Sequence, residues 1–190
     1  MLQQLLNREQ TKFISSCMMI LDALRYYFCR PKSEQKADTR PAPDIDLSRY
    51  LGRWYELARF DTPFEKDMEE VYTEYRAKSG GEISVTNVGM GNDERYREAH
   101  AIAYPTSNGR LRVSFIPLLR FLSTPYNILR VDEDYRYALV SNDSGSCLWF
   151  LGRHPVAAPE AFEELRREAI RRGFDLRELH YTRQHRPFPD

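Results

Sequence analysis

From residue 52 onward, apolar and polar residues alternate with the two-residue period of a strand, in short runs broken by turn-forming residues. The runs predict eight strands, at 52–60, 69–77, 82–88, 95–104, 110–116, 126–131, 135–141 and 146–153. Turn chemistry marks the breaks, as in Ser79-Gly80-Gly81, Gly89-Met90-Gly91-Asn92, Ser107-Asn108-Gly109, Asp132-Glu133-Asp134 and Asn142-Asp143-Ser144-Gly145. Strands joined this tightly in series make an antiparallel meander. The period then becomes helical. Pro159 suits a first turn, Glu160, Glu163 and Glu164 its N-terminal end, Arg166, Arg167, Arg171 and Arg172 its C-terminal end, and Gly173 the C-cap. Phe162, Leu165, Ala169 and Ile170 form a stripe narrow enough to cover the outside of a sheet. A short final strand falls at 176–182. The expected fold is all-β: a closed, eight-stranded, antiparallel up-and-down barrel with one C-terminal α-helix packed outside, enclosing room for one small ligand.

Upstream the pattern differs. Phe13, Cys17, Ile20, Leu21, Leu24 and Phe28 recur at helical spacing, which predicts an amphipathic N-terminal helix within residues 1–30. Residues 31–43, PKSEQKADTRPAP, carry three Pro, several charges and no large apolar side chain, the composition of a linker. The barrel with its helix and final strand then occupies 44–190. Asp22 and Arg25 interrupt the uncharged run Phe13–Leu21, leaving it well short of the about 20 apolar residues of a membrane span. Ile14-Ser15-Ser16-Cys17 fits a bacterial lipobox in form, but polar NREQTK precedes it where an apolar stretch belongs. A helix lying on a surface or binding a partner is the expectation, with a poorly ordered tail as the alternative.

Composition narrows the function. Lys plus Arg and Asp plus Glu are equal at 28 each, so no net field draws in nucleic acid. Twelve Tyr and ten Phe favour strands. Only Cys147 lies in the barrel, so no disulfide can form wholly within it.

Three segments resemble the lipocalin family in order and spacing. Leu51-Gly52-Arg53-Trp54-Tyr55-Glu56 is similar to its G-x-W-Y-E element, and Ala58-Arg59-Phe60 follows as in the bacterial branch. Tyr126 to Tyr135, with Asp132 and Asp134, resembles the second block, and Leu148-Trp149-Phe150-Leu151-Gly152-Arg153 the third. The likeness runs from about Asp46 to Arg183 and is nearest the bacterial outer-membrane lipoprotein and apolipoprotein-D-like members. It implies that Gly52, Trp54 and Arg153 form a structural signature, with the guanidinium over the indole at the closed end. It also implies a small hydrophobic ligand in the interior and a bacterial envelope location, outer membrane or periplasm. The envelope-anchored members carry a clean signal with its cysteine. Here Cys17 and Cys29 are the upstream lipidation candidates and no clean signal precedes them, which leaves cytoplasmic and peripheral-membrane locations open.

Alternation assigns faces within a strand. Leu111, Val113 and Phe115 share one, as do Cys147, Trp149, Leu151 and Arg153. With Arg153 at the floor, Trp149 points inward above it and heads the ligand-lining candidates, with Val113, Phe115, Tyr126, Ile128 and Tyr104 behind it. Parity alone does not separate inner from outer for Tyr126, Ile128, Tyr104 and Ile102. The connection Ile116 to Leu122 is apolar enough to serve as a patch for a membrane, a second subunit in a homodimer or a lid.

Catalytic patterns are missing: there is no G-x-S-x-G elbow, and Gly89-Met90-Gly91-Asn92 lacks the third glycine of a dinucleotide loop. His100, His154, His180 and His185 show no metal-ligand spacing, and no cofactor is expected. Two functions remain. One is a carrier of a fatty acid or lysophospholipid in membrane maintenance; the other is a module that docks a membrane or partner through the N-terminal helix and the 116–122 loop, with the barrel as scaffold.

Overall fold

The computed structural model describes residues 37–61, 65, 67–116, 118 and 120–184. The expected N-terminal helix, Cys17, Cys29 and His185 lie outside the described residues. No described helix is long and apolar enough to cross a membrane.

Among the described residues, nine strands form one antiparallel sheet: β1 (Gly52–Phe60), β2 (Glu69–Ala77), β3 (Ile83–Met90), β4 (Tyr96–Ser107), β5 (Arg110–Ser114), β6 (Thr124–Val131), β7 (Tyr137–Ser141), β8 (Leu148–Gly152) and β9 (Leu179–Tyr181). Neighbours run in chain order from β2 to β8. β1 then pairs with both β8 and β2, which closes the eight-stranded barrel, while β9 adds to the far half of β1. β1 can serve three neighbours because its register shifts between Glu56 and Ala58: Gly52–Tyr55 pair with β2, and Ala58–Phe60 pair with β9.

Local chemistry sets the strand ends. β7 starts at Tyr137, later than alternation suggests, because Tyr135 takes a left-handed φ of 57° and the Asp132 carboxylate accepts from the N–H groups of Arg136 and Tyr137 at 2.7 and 2.6 Å. β4 runs on through Pro105 to Ser107, where the register breaks against β5, since proline has no N–H to give the ladder. Asp175 caps a 3-10 turn at Leu176–Glu178, so only Leu179–Tyr181 of the expected last strand pairs.

A short helix, α1 (Leu47–Tyr50), crosses beneath the barrel, with Asp46 accepting from the Ser48 N–H at 2.9 Å. The helix α2 (Pro159–Arg171) has proline in its first turn. Its C-terminus is closed by Gly173 at φ 89°, with Phe174 N–H donating to the Ala169 carbonyl at 3.0 Å. Leu165 and Ala169 pack onto Leu129, Leu139, Leu148 and Phe150 outside the barrel. Ile170, which the sequence places in the same stripe, is 57% exposed, because the buried arc of α2 centres on Leu165 and Ala169 and Ile170 falls beyond its edge.

Residues 37–43, the end of the segment with linker composition, lie on the barrel. Asp38 N–H donates to the Arg172 carbonyl at 2.7 Å and Ala42 N–H to the Ile128 carbonyl at 2.9 Å. Arg172 donates to the carbonyls of Asp38, Arg40 and Leu129 at 3.1, 2.9 and 2.8 Å. Polar backbone groups hold this strap, which is why a search for apolar anchors passes over it.

Candidate functional site: the barrel interior

Two apolar clusters divide the molecule. One, outside, lies under α2. The other fills the barrel and includes Trp54, Tyr75, Val85, Ala101, Leu111, Val113, Ile128, Val140 and Leu151, with Phe115, Tyr126 and Trp149 packed against it. Register confirms the inward set, because directly paired residues share a face: Leu111 faces Tyr126, Ile128 faces Val140, and Val140 faces Trp149.

The closed end is a plug. Arg153 lies over the Trp54 indole at 3.8 Å, and its guanidinium donates to the carbonyls of Tyr135 (3.1 Å), Arg53 (2.8 Å), Arg49 (2.8 Å) and Tyr50 (3.2 Å). The Trp54 indole N–H donates to the Tyr50 carbonyl at 2.8 Å. Gly52, at φ 94°, makes room: a Cβ there would sit 3.3 Å from Arg153 Nη1. The signature residues meet as the sequence resemblance implies, and all of them face the floor.

Above the plug the interior changes character. Trp54, Leu111, Ile128, Ala138 and Val140 are fully buried. Higher up, Thr73, Asn87, Ala99, Phe115, Tyr126 and Trp149 are only half-buried although their register points them inward. The lower half is packed solid and the upper half is not. Of the ligand-lining candidates, Trp149, Tyr126, Phe115 and Val113 come together there, with the rings of Tyr126 and Trp149 stacked 6.4 Å apart. Ile128 lies beneath them in the packed layer. Tyr104 is a correction. It pairs with Arg112, between inward Ala103 and Pro105, so it projects outward, where Arg120 stacks on its ring at 3.8 Å.

The upper interior also carries polar groups that alternation did not single out. Tyr75 Oη donates to Tyr126 Oη at 2.8 Å, and Tyr50 and Tyr126 share a hydrogen bond at 2.7 Å. Burial pushes all three phenols above their usual pKa, so they stay protonated. The Trp149 indole N–H donates to both carboxylate oxygens of Glu65, at 3.2 and 3.3 Å. Thr73 Oγ1 donates to Asn87 Oδ1 at 2.7 Å. Arg59 is fully buried and donates to Glu56 at 2.6 Å, to Thr182 Oγ1 at 3.2 Å and to the Glu65 carbonyl at 2.6 Å. Burial works against the Arg59 charge, but Glu56, Glu65 and Asp61 together outweigh it and hold the guanidinium above its ordinary pKa. Parity with Thr73 could have found Tyr75. Tyr50 and Glu65 lie outside the strands, where alternation gives no signal.

A family model described as a lipocalin-like domain matches residues 45–184. The chain belongs to the lipocalin family. This lipocalin is 36% identical over 150 residues to outer membrane lipoprotein Blc of Vibrio cholerae, covering 76% of this chain and 86% of that one. It is 29% identical over 158 residues to mouse apolipoprotein D, covering 76% and 82%. These place it in the bacterial lipoprotein and apolipoprotein D branch. Lobster apocrustacyanin A1 shares the fold at TM-score 0.62 and 19% identity, covering 74% of the lipocalin and 81% of that chain. Membership brings the coarse function with it: a barrel that binds and carries a small hydrophobic ligand.

Among the described residues, no group of three or more His, Cys, Asp or Glu is arranged to hold a metal ion. Cys147 is buried, with Asn142 Nδ2 at 3.6 Å and Ser146 Oγ at 3.7 Å from its sulfur. A groove of about 460 Å³ between α2 and β9 lies outside the barrel.

Proposed function

We propose that the barrel carries one elongated lipid, a fatty acid or lysophospholipid, in its upper half, in the service of membrane maintenance. The observation that carries this reading is the division of the interior: inward aromatic and apolar side chains keep accessible surface in the upper half of the barrel and lose it in the lower half, next to the Trp54 plug. Each methylene that replaces water there contributes about 0.8 kcal/mol, so a long chain gains many times over. Likeness to an outer membrane lipoprotein supports the membrane setting.

The test is a titration of fatty acids and lysophospholipids of graded chain length against delipidated protein, followed by tryptophan fluorescence and displacement of an apolar dye. Affinity rises with chain length until the cavity is full. Trp149→Ala weakens binding and Tyr104→Ala, on the outer face, leaves it unchanged. No saturable binding at micromolar ligand, or indifference to chain length, refutes the carrier.

A second reading has its own observation. Leu118 and Phe121, in the connection between β5 and β6, are 92% and 75% exposed, as in a surface that docks a membrane or partner. Lipid that co-purifies with residues 44–190 alone favours the carrier, and activity that vanishes with residues 1–43 favours docking.

A further inference from the structure

The head of a carried lipid meets the charges of the open end. The connections there are 61–68, 91–95, 115–123 and 142–147, because antiparallel neighbours turn at alternate ends and the Trp54 plug marks the other one. They hold six Asp or Glu against three Lys or Arg, so the mouth is acidic although the chain as a whole is neutral. Arg120 stacks on Tyr104, on the outer wall, and Arg97 pairs with Asp93 at 3.1 Å. In the upper interior Arg59 gives its donors to Glu56, Thr182, Asp61 and the Glu65 carbonyl.

One carboxylate of this excess is held inside. Glu65 is fixed by its backbone carbonyl, which accepts from Arg59 at 2.6 Å and from the Met68 N–H at 2.9 Å. Its side chain lies on the Trp149 indole N–H, at 3.2 and 3.3 Å. It also faces the Tyr75 phenol, whose pKa burial raises and the Glu65 charge raises further. Trp149 stacks with Tyr126 at 6.4 Å and Tyr126 meets Tyr75 at 6.1 Å, so a wall of three aromatic rings adjoins the carboxylate. Such a wall attracts an ammonium group, the rings through their quadrupole and the carboxylate through its charge. A carboxylate ligand finds Glu65 opposite it and Arg59 already engaged, which is a repulsive arrangement.

We propose that Glu65, together with Trp149, selects a single-chain lipid whose head carries an ammonium group and disfavours a free fatty acid. This rests on the carrier reading and narrows its ligand. The tail fills the upper interior, and the head stays on the Glu65 side of the mouth, within reach of water.

Decyltrimethylammonium, decanol and decanoate share one tail and differ in the charge of the head. Wild-type protein binds them in that order, tightest first, by displacement of an apolar dye. Glu65→Gln keeps an acceptor for the Trp149 N–H and removes the charge. The ratio of ammonium to alcohol affinity then falls about tenfold, and decanoate gains on decanol. Glu94→Gln, in the exposed turn between β3 and β4, removes an equal charge from the same end and moves the ratio less than about twofold, which separates a local contact from the general field of the mouth. Decanoate bound by wild type as tightly as decyltrimethylammonium, a ratio unchanged in Glu65→Gln, or an equal fall in Glu94→Gln overturns the inference and leaves the carrier standing. Failure of all three probes to bind saturably overturns the inference together with the carrier.

Discussion

Arg153→Ala tests whether the closed end is held by the arrangement described. The guanidinium donates to four backbone carbonyls, from Arg49, Tyr50, Arg53 and Tyr135, and covers the Trp54 ring at 3.8 Å. A hydrogen bond to a charged group contributes about 1.5–3 kcal/mol. The contact with indole adds about 0.5–2 kcal/mol. The donors share one side chain and part of it meets solvent, so these contributions do not add in full, and water can reach some of the freed carbonyls. A loss of about 4 kcal/mol follows. For a domain of this size each kcal/mol lowers Tm by about 2–4 °C, so the expected drop is about 8–16 °C by calorimetry. Arg153→Lys separates charge from shape. An ammonium keeps the charge but cannot span carbonyls on α1, β1 and the turn before β7 together, so it recovers less than half of the loss. In a double-mutant cycle with Trp54→Phe, the two sites couple. Melting temperatures of both Arg153 variants within about 2 °C of wild type would refute the reasoning, as would additivity with Trp54→Phe.

Two further perturbations follow from the same geometry. Chains beginning at residue 37 and at residue 44 differ only by the strap, and the shorter one melts lower because Arg172 loses the carbonyls of Asp38 and Arg40; equal melting curves would show that the strap contributes nothing. Glu56→Gln leaves the fully buried Arg59 without its nearest counter-charge and costs about 3–5 kcal/mol in chemical denaturation, while Glu56→Leu with Arg59→Met costs less, and the reverse order would refute the pairing.

The sequence by itself determined the elements and their order. Period-two alternation with turn residues between the runs marks eight strands, because a strand buried on one face must alternate and a tight connection needs Gly, Asn or Asp. The Trp54–Arg153 pairing was legible for a different reason: one motif in the first strand and another ending the eighth, read through the family resemblance, name two residues that only a closed barrel brings together. Alternation states which residues share a face and never which face is inside. That choice was made by the pairing of neighbours, which put Tyr126 inward with Leu111 and Tyr104 outward with Arg112. The polar interior was hidden for a related reason. Tyr50 comes from a short helix, Tyr75 from β2, Tyr126 from β6 and Glu65 from the connection between β1 and β2, and their hydrogen bonds join residues 51 to 84 positions apart. The strap of residues 37–43 was hidden by its means of attachment. Its side chains read as linker, and it is held by backbone groups, which every sequence has and which bind only where the fold presents a partner.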